Sequence, residues 1–174
     1  KQPNIDLEYV DPSKAGIAEN APINTAFARV TLRDEKNRPR TGFRFEIESD
    51  DDRVFRLDPS DDGVTLIVTE KVLDYEKNDS YDVVITATDL DNPSRTFQKS
   101  LTVPVVDEND NAPEFERSEY KASLIESSDP GTSVMMVKAR DDDSGENGRI
   151  SYSLDYGSSS NVTAYSDWFT VDES

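Results

Sequence analysis

The sequence predicts an all-β protein made of two tandem β-sandwich repeats, of which the second is incomplete. Three observations support this prediction. Apolar and polar residues alternate in short runs, turn-forming residues separate these runs, and the pattern recurs about one hundred residues later. No long stretch shows the 3.6-residue period of an amphipathic helix. Together these features are typical of a sandwich of short strands.

The predicted strands are short and well separated. The segment Phe43–Ile47 alternates strictly between apolar and charged residues, and the segment Ile150–Leu154 shows the same alternation. The runs 64–68, 81–87 and 97–106 are rich in β-branched and aromatic residues, which favour strands. The separating turn formers are Pro59, Gly63, Asn78-Asp79 and Asp91-Asn92-Pro93.

An internal repeat divides the chain. A shift of 107 residues places Glu19 on Glu126 and the Phe43–Ile47 alternation on Ile150–Leu154. A shift of 114 residues then places Val54-Phe55 on Trp168-Phe169, and we expect both pairs to be core residues. The first repeat therefore covers residues 1–106, a short linker covers 107–111, and the first part of a second repeat covers 112–174.

The second repeat has no counterpart of residues 61–106 in this sequence. A sandwich without its last strands has an open core and bare sheet edges. We therefore expect this part to be completed either by further residues of the same protein or by a second chain.

The charge balance and the missing residue types exclude several classes of function. The chain carries 37 acidic and 19 basic residues, a net charge of -18, so it repels nucleic acids and anionic membrane surfaces. It contains no Cys and no His, which excludes disulfides, thiolate sites and most zinc, copper and haem sites. No apolar run is long enough to span a bilayer. No nucleophile or paired-carboxylate constellation is evident, so we predict that it is not an enzyme.

The acidic residues are concentrated in short clusters, at 50–52, at 107–110 and at 141–143. Clustered carboxylates repel one another unless a cation lies between them, and hard divalent cations prefer sites made only of oxygen ligands. The 107–110 cluster does not fit a calcium-binding EF-hand loop. Counted from Asp107, the glycine position is Ala112 and the glutamate position is Ser118.

The segment from Asp107 to Phe115 resembles the calcium-binding linker between cadherin repeats, DxNDNAPxF, at every defined position. Four further segments resemble cadherin motifs in the same order: Ile17–Asn20, Leu73–Glu76, Ala87–Asp91 and Asp141–Gly148. The resemblance implies Greek-key, immunoglobulin-like repeats with two to three Ca²⁺ ions at the linker.

The same resemblance implies which residues bind these ions. The first ion would be bound by Glu19, Asp74, Glu76 and Asp110. The second would be bound by Glu19, Glu76, Asp107, Asp110, Asp143 and the carbonyl of Glu108. The third would be bound by the Asn109 side chain, Asp141, Asp143 and the carbonyls of Asn111 and Asn147, together with an aspartate that this sequence does not include.

The other end of the first repeat departs from the cadherin pattern. It carries Asp34-Glu35-Lys36 where the second repeat carries Asp141-Asp142-Asp143. Lys36 therefore brings a positive charge to a ligand position, and we expect this end to lack a complete set of calcium ligands.

The resemblance implies a fragment of a calcium-dependent cell-adhesion ectodomain, in which calcium makes the linker rigid. It would lie on the extracellular side of the plasma membrane in a single-pass protein whose membrane segment is outside this chain. Its partner would be another cadherin-type ectodomain, in homophilic or heterophilic adhesion. A calcium-stabilised accessory domain without an adhesive role is the alternative. Asn78 and Asn161 begin glycosylation sequons, which suit an extracellular protein.

Overall fold

Ten β-strands and no α-helix occur in the residues that the computed structural model describes, which are 3–13, 15–59, 64–156 and 168–172. The chain divides into two units, Lys1–Glu108 and Asn109–Ser174. In the described residues no helix has the length and apolar character needed to cross a bilayer. The strands are β1 (Asn4–Tyr9), β2 (Ile17–Ala18), β3 (Ala26–Arg33), β4 (Phe43–Ser49), β5 (Phe55–Pro59), β6 (Thr65–Thr69), β7 (Ser80–Asp89), β8 (Thr96–Val106), β9 (Glu114–Phe115) and β10 (Ala139–Arg140).

The first eight strands form two four-stranded sheets in unit one. One sheet has the order β1-β3-β6-β5 and is antiparallel throughout. The other has the order β2-β8-β7-β4, in which β2 runs parallel to β8 and the remaining pairs are antiparallel. This is the strand arrangement of an immunoglobulin-like Greek-key sandwich, and it confirms the predicted fold class. The strands predicted at Phe43–Ile47, 64–68, 81–87 and 97–106 are present.

The first strand is divided between the two sheets, since β1 belongs to one and β2 to the other. Gly16 precedes β2 where the chain passes close to β8. A Cβ atom at this position would lie 2.3 Å from the carbonyl oxygen of Pro104, which is backbone and cannot move aside. The absence of a side chain at Gly16 therefore allows β2 to reach β8.

The core of unit one lies between the sheets, where the inward positions of the strands are apolar except for the buried Thr65 and Thr69 of β6. Phe55 packs between Phe27, at 5.1 Å between ring centroids, and Tyr81, at 5.7 Å. Val54 and Phe55 are both buried, as the repeat pattern predicts. The alternation seen in the sequence therefore corresponds to one buried and one exposed face of each sheet.

Unit two has less regular structure in its described part. Strands β9 and β10 pair over two residues each, and the rings of Tyr120 and Tyr152 each lie 6.2 Å from the Phe115 ring. The strand predicted at Ile150–Leu154 is wrong, because the structure places no strand there. Within this segment the Tyr152 hydroxyl accepts from the Ala139 amide at 2.9 Å.

The prediction that Trp168 and Phe169 are core residues is also wrong. Their side chains are 70% and 39% exposed. In unit one the corresponding Phe55 is covered by Tyr81 of β7, and the repeat comparison gives no residue of this sequence as the counterpart of Tyr81 in unit two.

Candidate metal centre

The carboxylate of Glu19 is the most buried acidic group described in unit one. Strand β2 leads directly into it, and the Glu19 amide donates to the Val106 carbonyl at 3.0 Å. This bond places Glu19 at the end of β8, where the chain leaves the sandwich. Its side chain is only 1% exposed. An ionised group in such a position must be compensated by donors or by a cation.

Both carboxylate oxygens of Glu19 accept backbone hydrogen bonds. Oε2 accepts from the Tyr75 amide at 2.8 Å, and Oε1 accepts from the Glu108 amide at 2.7 Å. One side chain therefore fastens the 73–76 segment and the start of the predicted linker. A carboxylate has about four acceptor positions, so two remain available on these oxygens for a metal ion.

Asp74 and Glu76 bring two further carboxylates to the same place. The buried side chain of Leu73 anchors this segment, and its carbonyl accepts from the Asn20 amide at 3.2 Å. Carboxylate oxygens of Glu19, Asp74 and Glu76 all lie within 4.8 Å of one another. Asp107, which is half-buried, has an oxygen within the same distance of Glu76.

This arrangement suits a hard divalent cation. Two carboxylates 4.8 Å apart repel each other by about 3 kcal/mol near a protein surface. Unit one thus gathers four carboxylates from three remote segments, Glu19, the 74–76 turn and Asp107, at a substantial electrostatic cost. Ca²⁺ binds six to eight oxygens with flexible geometry, and the donor set here consists only of oxygen atoms. The residues therefore fit calcium.

Lys77 partly offsets this repulsion. Its ammonium group donates to Asp74 Oδ2 at 2.5 Å. This hydrogen bond holds the pKa of the Asp74 carboxyl below its ordinary value and raises the pKa of Lys77. The cadherin motifs do not identify Lys77, although its position three residues after Asp74 in a turn brings the two side chains together. A calcium ion at Asp74 would compete with this ammonium group.

A second group of predicted ligands lies in unit two, around the buried side chain of Asp143. The Asn111 amide donates to both oxygens of Asp143, at 3.2 and 3.3 Å, and Asn111 Nδ2 donates to Oδ1 at 2.6 Å. The Asp143 amide donates to Asp141 Oδ1 at 3.0 Å. Asn109 Nδ2 donates to the Asn147 carbonyl at 3.5 Å. The structure thus joins Asn111 and Asp141 to Asp143, and separately joins Asn109 to Asn147.

Asp110 is an exposed residue of unit two, and its Oδ1 accepts from Asn111 Nδ2 at 2.8 Å. Glu108 enters the unit-one group through its backbone amide, and its side chain is exposed. Of the two predicted glycosylation sites, Asn78 is exposed in the turn before β7, and Asn161 lies outside the described residues.

Comparisons with known proteins agree with the motifs. The family model of the cadherin domain matches residues 13–106 and 120–174. The mouse "Cadherin EGF LAG seven-pass G-type receptor 1" is 38% identical over 141 residues, which are 81% of this chain and 4% of that protein. Human "Protocadherin gamma-B4" is 36% identical over 138 residues, which are 79% of this chain and 15% of that protein. The chain therefore spans a small part of these relatives.

A solved structure described as "Protocadherin gammaB7 EC3-6 cis-dimer structure" matches with a TM-score of 0.66 and 31% identity, over 84% of this chain and 34% of that chain. Since cadherin repeats are non-enzymatic adhesion domains, this likeness also supports the prediction that the chain is not an enzyme. The family model covers most of the sequence, the strand order is that of the family, and the acidic residues Glu19, Asp74 and Glu76 meet at the end of the first sandwich. The chain belongs to the cadherin family.

Proposed function

We propose that this chain is a calcium-stiffened segment of an extracellular adhesion ectodomain. The observation that carries the proposal is the buried carboxylate of Glu19, which fastens Tyr75 and Glu108 while Asp74 and Glu76 lie within 4.8 Å. A cation bound by these carboxylates would be held at the point where the first sandwich ends and the linker begins.

The proposed domain division is a repeat at 1–106, a linker at 107–111 and the first part of a second repeat at 112–174. Two to three Ca²⁺ ions bind at the linker. Their proposed ligands are Glu19, Asp74, Glu76, Asp107, Glu108, Asn109, Asp110, Asn111, Asp141, Asp143 and Asn147. Each ion replaces repulsion among carboxylates by attraction, so the linker becomes rigid when calcium is bound. Sites of extracellular modules have dissociation constants of about 10⁻⁴ to 10⁻³ M, which suits extracellular calcium.

The proposed partner is another cadherin-type ectodomain, in homophilic or heterophilic contact. The description of the similar protocadherin gammaB7 structure as a cis-dimer supports a partner of this class. The proposed location is the extracellular side of the plasma membrane, in a single-pass protein. The exposed position of Asn78 is compatible with a glycan there.

The test is calcium-dependent stability of the full chain. At a calcium concentration about ten times the dissociation constant, two sites stabilise the folded state by about 3 kcal/mol, since each tenfold ratio is worth about 1.4 kcal/mol. For unit one this corresponds to a rise in Tm of about 10–20 °C over a sample with EDTA. Asp110→Ala should lose most of this rise, because Asp110 is a proposed ligand of two ions.

The matched control is Asp51→Ala, which removes a half-buried aspartate that forms an ion pair with Lys71 at 3.2 Å. This variant should keep the full calcium response. The proposal is wrong if the wild-type Tm is the same in calcium and in EDTA. An equal loss of response in both variants would show that the effect of Asp110→Ala is one of net charge alone.

Lys77→Gln should bind calcium more tightly than the wild type. The change removes the ammonium group that competes for Asp74 Oδ2. Exposed ion pairs are weak, so the calcium dissociation constant should fall by no more than about fivefold. Isothermal titration calorimetry measures this change. Lys71→Gln is the control, since Lys71 pairs with Asp51 in a cluster without proposed calcium ligands. An unchanged or weaker affinity in Lys77→Gln would contradict the prediction.

A further inference from the structure

We propose that two guanidinium groups, those of Arg38 and Arg95, take the charge-neutralising place of a calcium ion at the end of unit one formed by residues 34–42 and 89–95. This end, called here the arginine end, is therefore ordered without calcium. The inference concerns a different place from the Glu19 group and does not depend on the proposed calcium function.

Asp34 is the first acidic residue of the arginine end, and four N–H groups are directed to it. Its Oδ2 accepts from Arg38 Nε at 2.9 Å and from Arg38 Nη2 at 2.7 Å. Its Oδ1 accepts from the backbone amides of Lys36 and Arg38, both at 2.9 Å. The hydrogen bond from the Arg38 side chain is the largest cause that lowers the pKa of Asp34 to about 2. The negative charge of Asp34 is thus compensated from within its own loop.

Asp89 is the second acidic residue, and its environment is similar. Its Oδ1 accepts from the backbone amides of Asp91 and Asn92 at 3.0 and 3.3 Å, and Arg95 Nη1 lies 3.8 Å from Oδ2. Its own amide donates to the Arg95 carbonyl at 3.0 Å. The guanidinium of Arg95 also lies over the Phe97 ring, 5.4 Å from its centroid, in a cation–π contact.

The two loops of the arginine end are joined to each other. The Leu90 amide donates to the Gly42 carbonyl at 2.9 Å. The rings of Phe43 and Phe97 pack against each other with 6.0 Å between their centroids. The Cζ atom of Arg40 lies 5.9 Å from the centroid of the Phe43 ring. Each of the two joined loops thus carries a carboxylate that an arginine of the same loop faces.

The corresponding loop of unit two gives an internal comparison. The amide of Lys36 donates to Asp34 Oδ1 at 2.9 Å, and the amide of Asp143 donates to Asp141 Oδ1 at 3.0 Å, so the two repeats share this hydrogen bond. The shift of 107 residues places Lys36 on Asp143 and Arg38 on Gly145. Unit one therefore keeps this aspartate hydrogen bond of the proposed calcium loop but carries cations at two positions where unit two carries a carboxylate and a glycine.

The arginine end is well separated from the Glu19 group. Strand β8 begins at Thr96, beside the arginine end, and ends at Val106, which accepts from the Glu19 amide. A strand of 11 residues is about 33 Å long. A calcium ion bound at Glu19 has little direct electrostatic effect over this distance at physiological ionic strength, since the Debye length is about 8 Å.

The experiment is hydrogen–deuterium exchange of the full chain in calcium and in EDTA, followed by peptide. Peptides over 33–43 and 88–96 should exchange equally in both conditions. Peptides over 73–79 and 105–111 are the internal reference for the proposed calcium response. Slower exchange of 33–43 or 88–96 in calcium would overturn the inference, whereas a missing response of 73–79 and 105–111 alone would overturn only the proposed calcium function.

A variant of Arg38 tests the inference independently of calcium. Arg38→Gln removes the guanidinium from Asp34 and should raise the exchange rate of 33–43 by about threefold, a size expected of a partly exposed ion pair. The matched control is Arg40→Gln, which removes a neighbouring guanidinium that lies over the Phe43 ring. The inference fails if Arg38→Gln leaves the exchange of 33–43 unchanged, or if Arg40→Gln raises it as much.

Discussion

In calcium, Glu19→Ala should lower the free energy of unfolding of unit one by about 3–5 kcal/mol. The amides of Tyr75 and Glu108 would lose an ionised acceptor, and such bonds are worth about 1.5–3 kcal/mol each. In EDTA the loss should be smaller, because the same change also removes the repulsion of Glu19 by Asp74 and Glu76. Urea unfolding followed by far-ultraviolet circular dichroism measures both values.

Glu48→Ala is the matched control, because Glu48 is an exposed glutamate on β4 and no proposed ligand. It should change the free energy of unfolding by no more than about 0.5 kcal/mol in either condition. An equal loss for Glu19→Ala in calcium and in EDTA would mean that Glu19 has a structural role only, and would contradict its assignment as a metal ligand.

Phe55→Ala should destabilise unit one by about 3–5 kcal/mol, with or without calcium. The change leaves a cavity between Phe27 and Tyr81, whose rings pack on either side of Phe55. Because this loss comes from packing, it should be the same in EDTA, unlike that of Glu19→Ala. The same urea measurement tests it.

Leu90→Ala is the control for Phe55→Ala, since Leu90 is a large apolar residue that is 60% exposed. The free energy of unfolding of the Leu90→Ala variant should stay within about 0.5 kcal/mol of that of the wild type. A loss below about 1 kcal/mol for Phe55→Ala would show that the core can collapse into the space left by the ring.

The fold of unit one could be predicted from the sequence because each strand has its own signal. Phe43, Phe45 and Ile47 alternate with Arg44 and Glu46, and only a strand with one buried face fits this order. The division of the first strand was beyond such reasoning. It depends on the close approach of Gly16 to Pro104, which are far apart in sequence.

The same reasoning failed in unit two, where the alternation of Ile150–Leu154 and the apolar pair Trp168-Phe169 suggested a sandwich. A strand forms only where a partner strand is present, and apolar residues become buried only where other residues cover them. The residue pattern of a segment therefore predicts whether it is able to form a strand. Whether the strand forms depends on the residues that pair with the segment and cover it.

The sequence predicts which carboxylates belong to the site but not the hydrogen bonds that hold them. The motifs identify Glu19, Asp74 and Glu76 because their order and spacing fit a known pattern. The motifs do not show that Glu19 accepts hydrogen bonds from the amides of Tyr75 and Glu108. A backbone amide donor does not depend on the type of side chain, so the sequence does not identify it. Nor do the motifs identify Lys77 as the group that competes for Asp74.

The division of the first strand has a mechanical consequence. Strand β2 runs parallel to β8, with Ile17 beside Val105 and Ala18 beside Val106. A pulling force applied through the start of unit one and through its last residues draws these two strands in opposite directions along their length. Their hydrogen bonds are then loaded together in shear, not broken one after another as when a hairpin is unzipped. The short pairing that Gly16 permits therefore lies directly in the path by which tension crosses the sandwich.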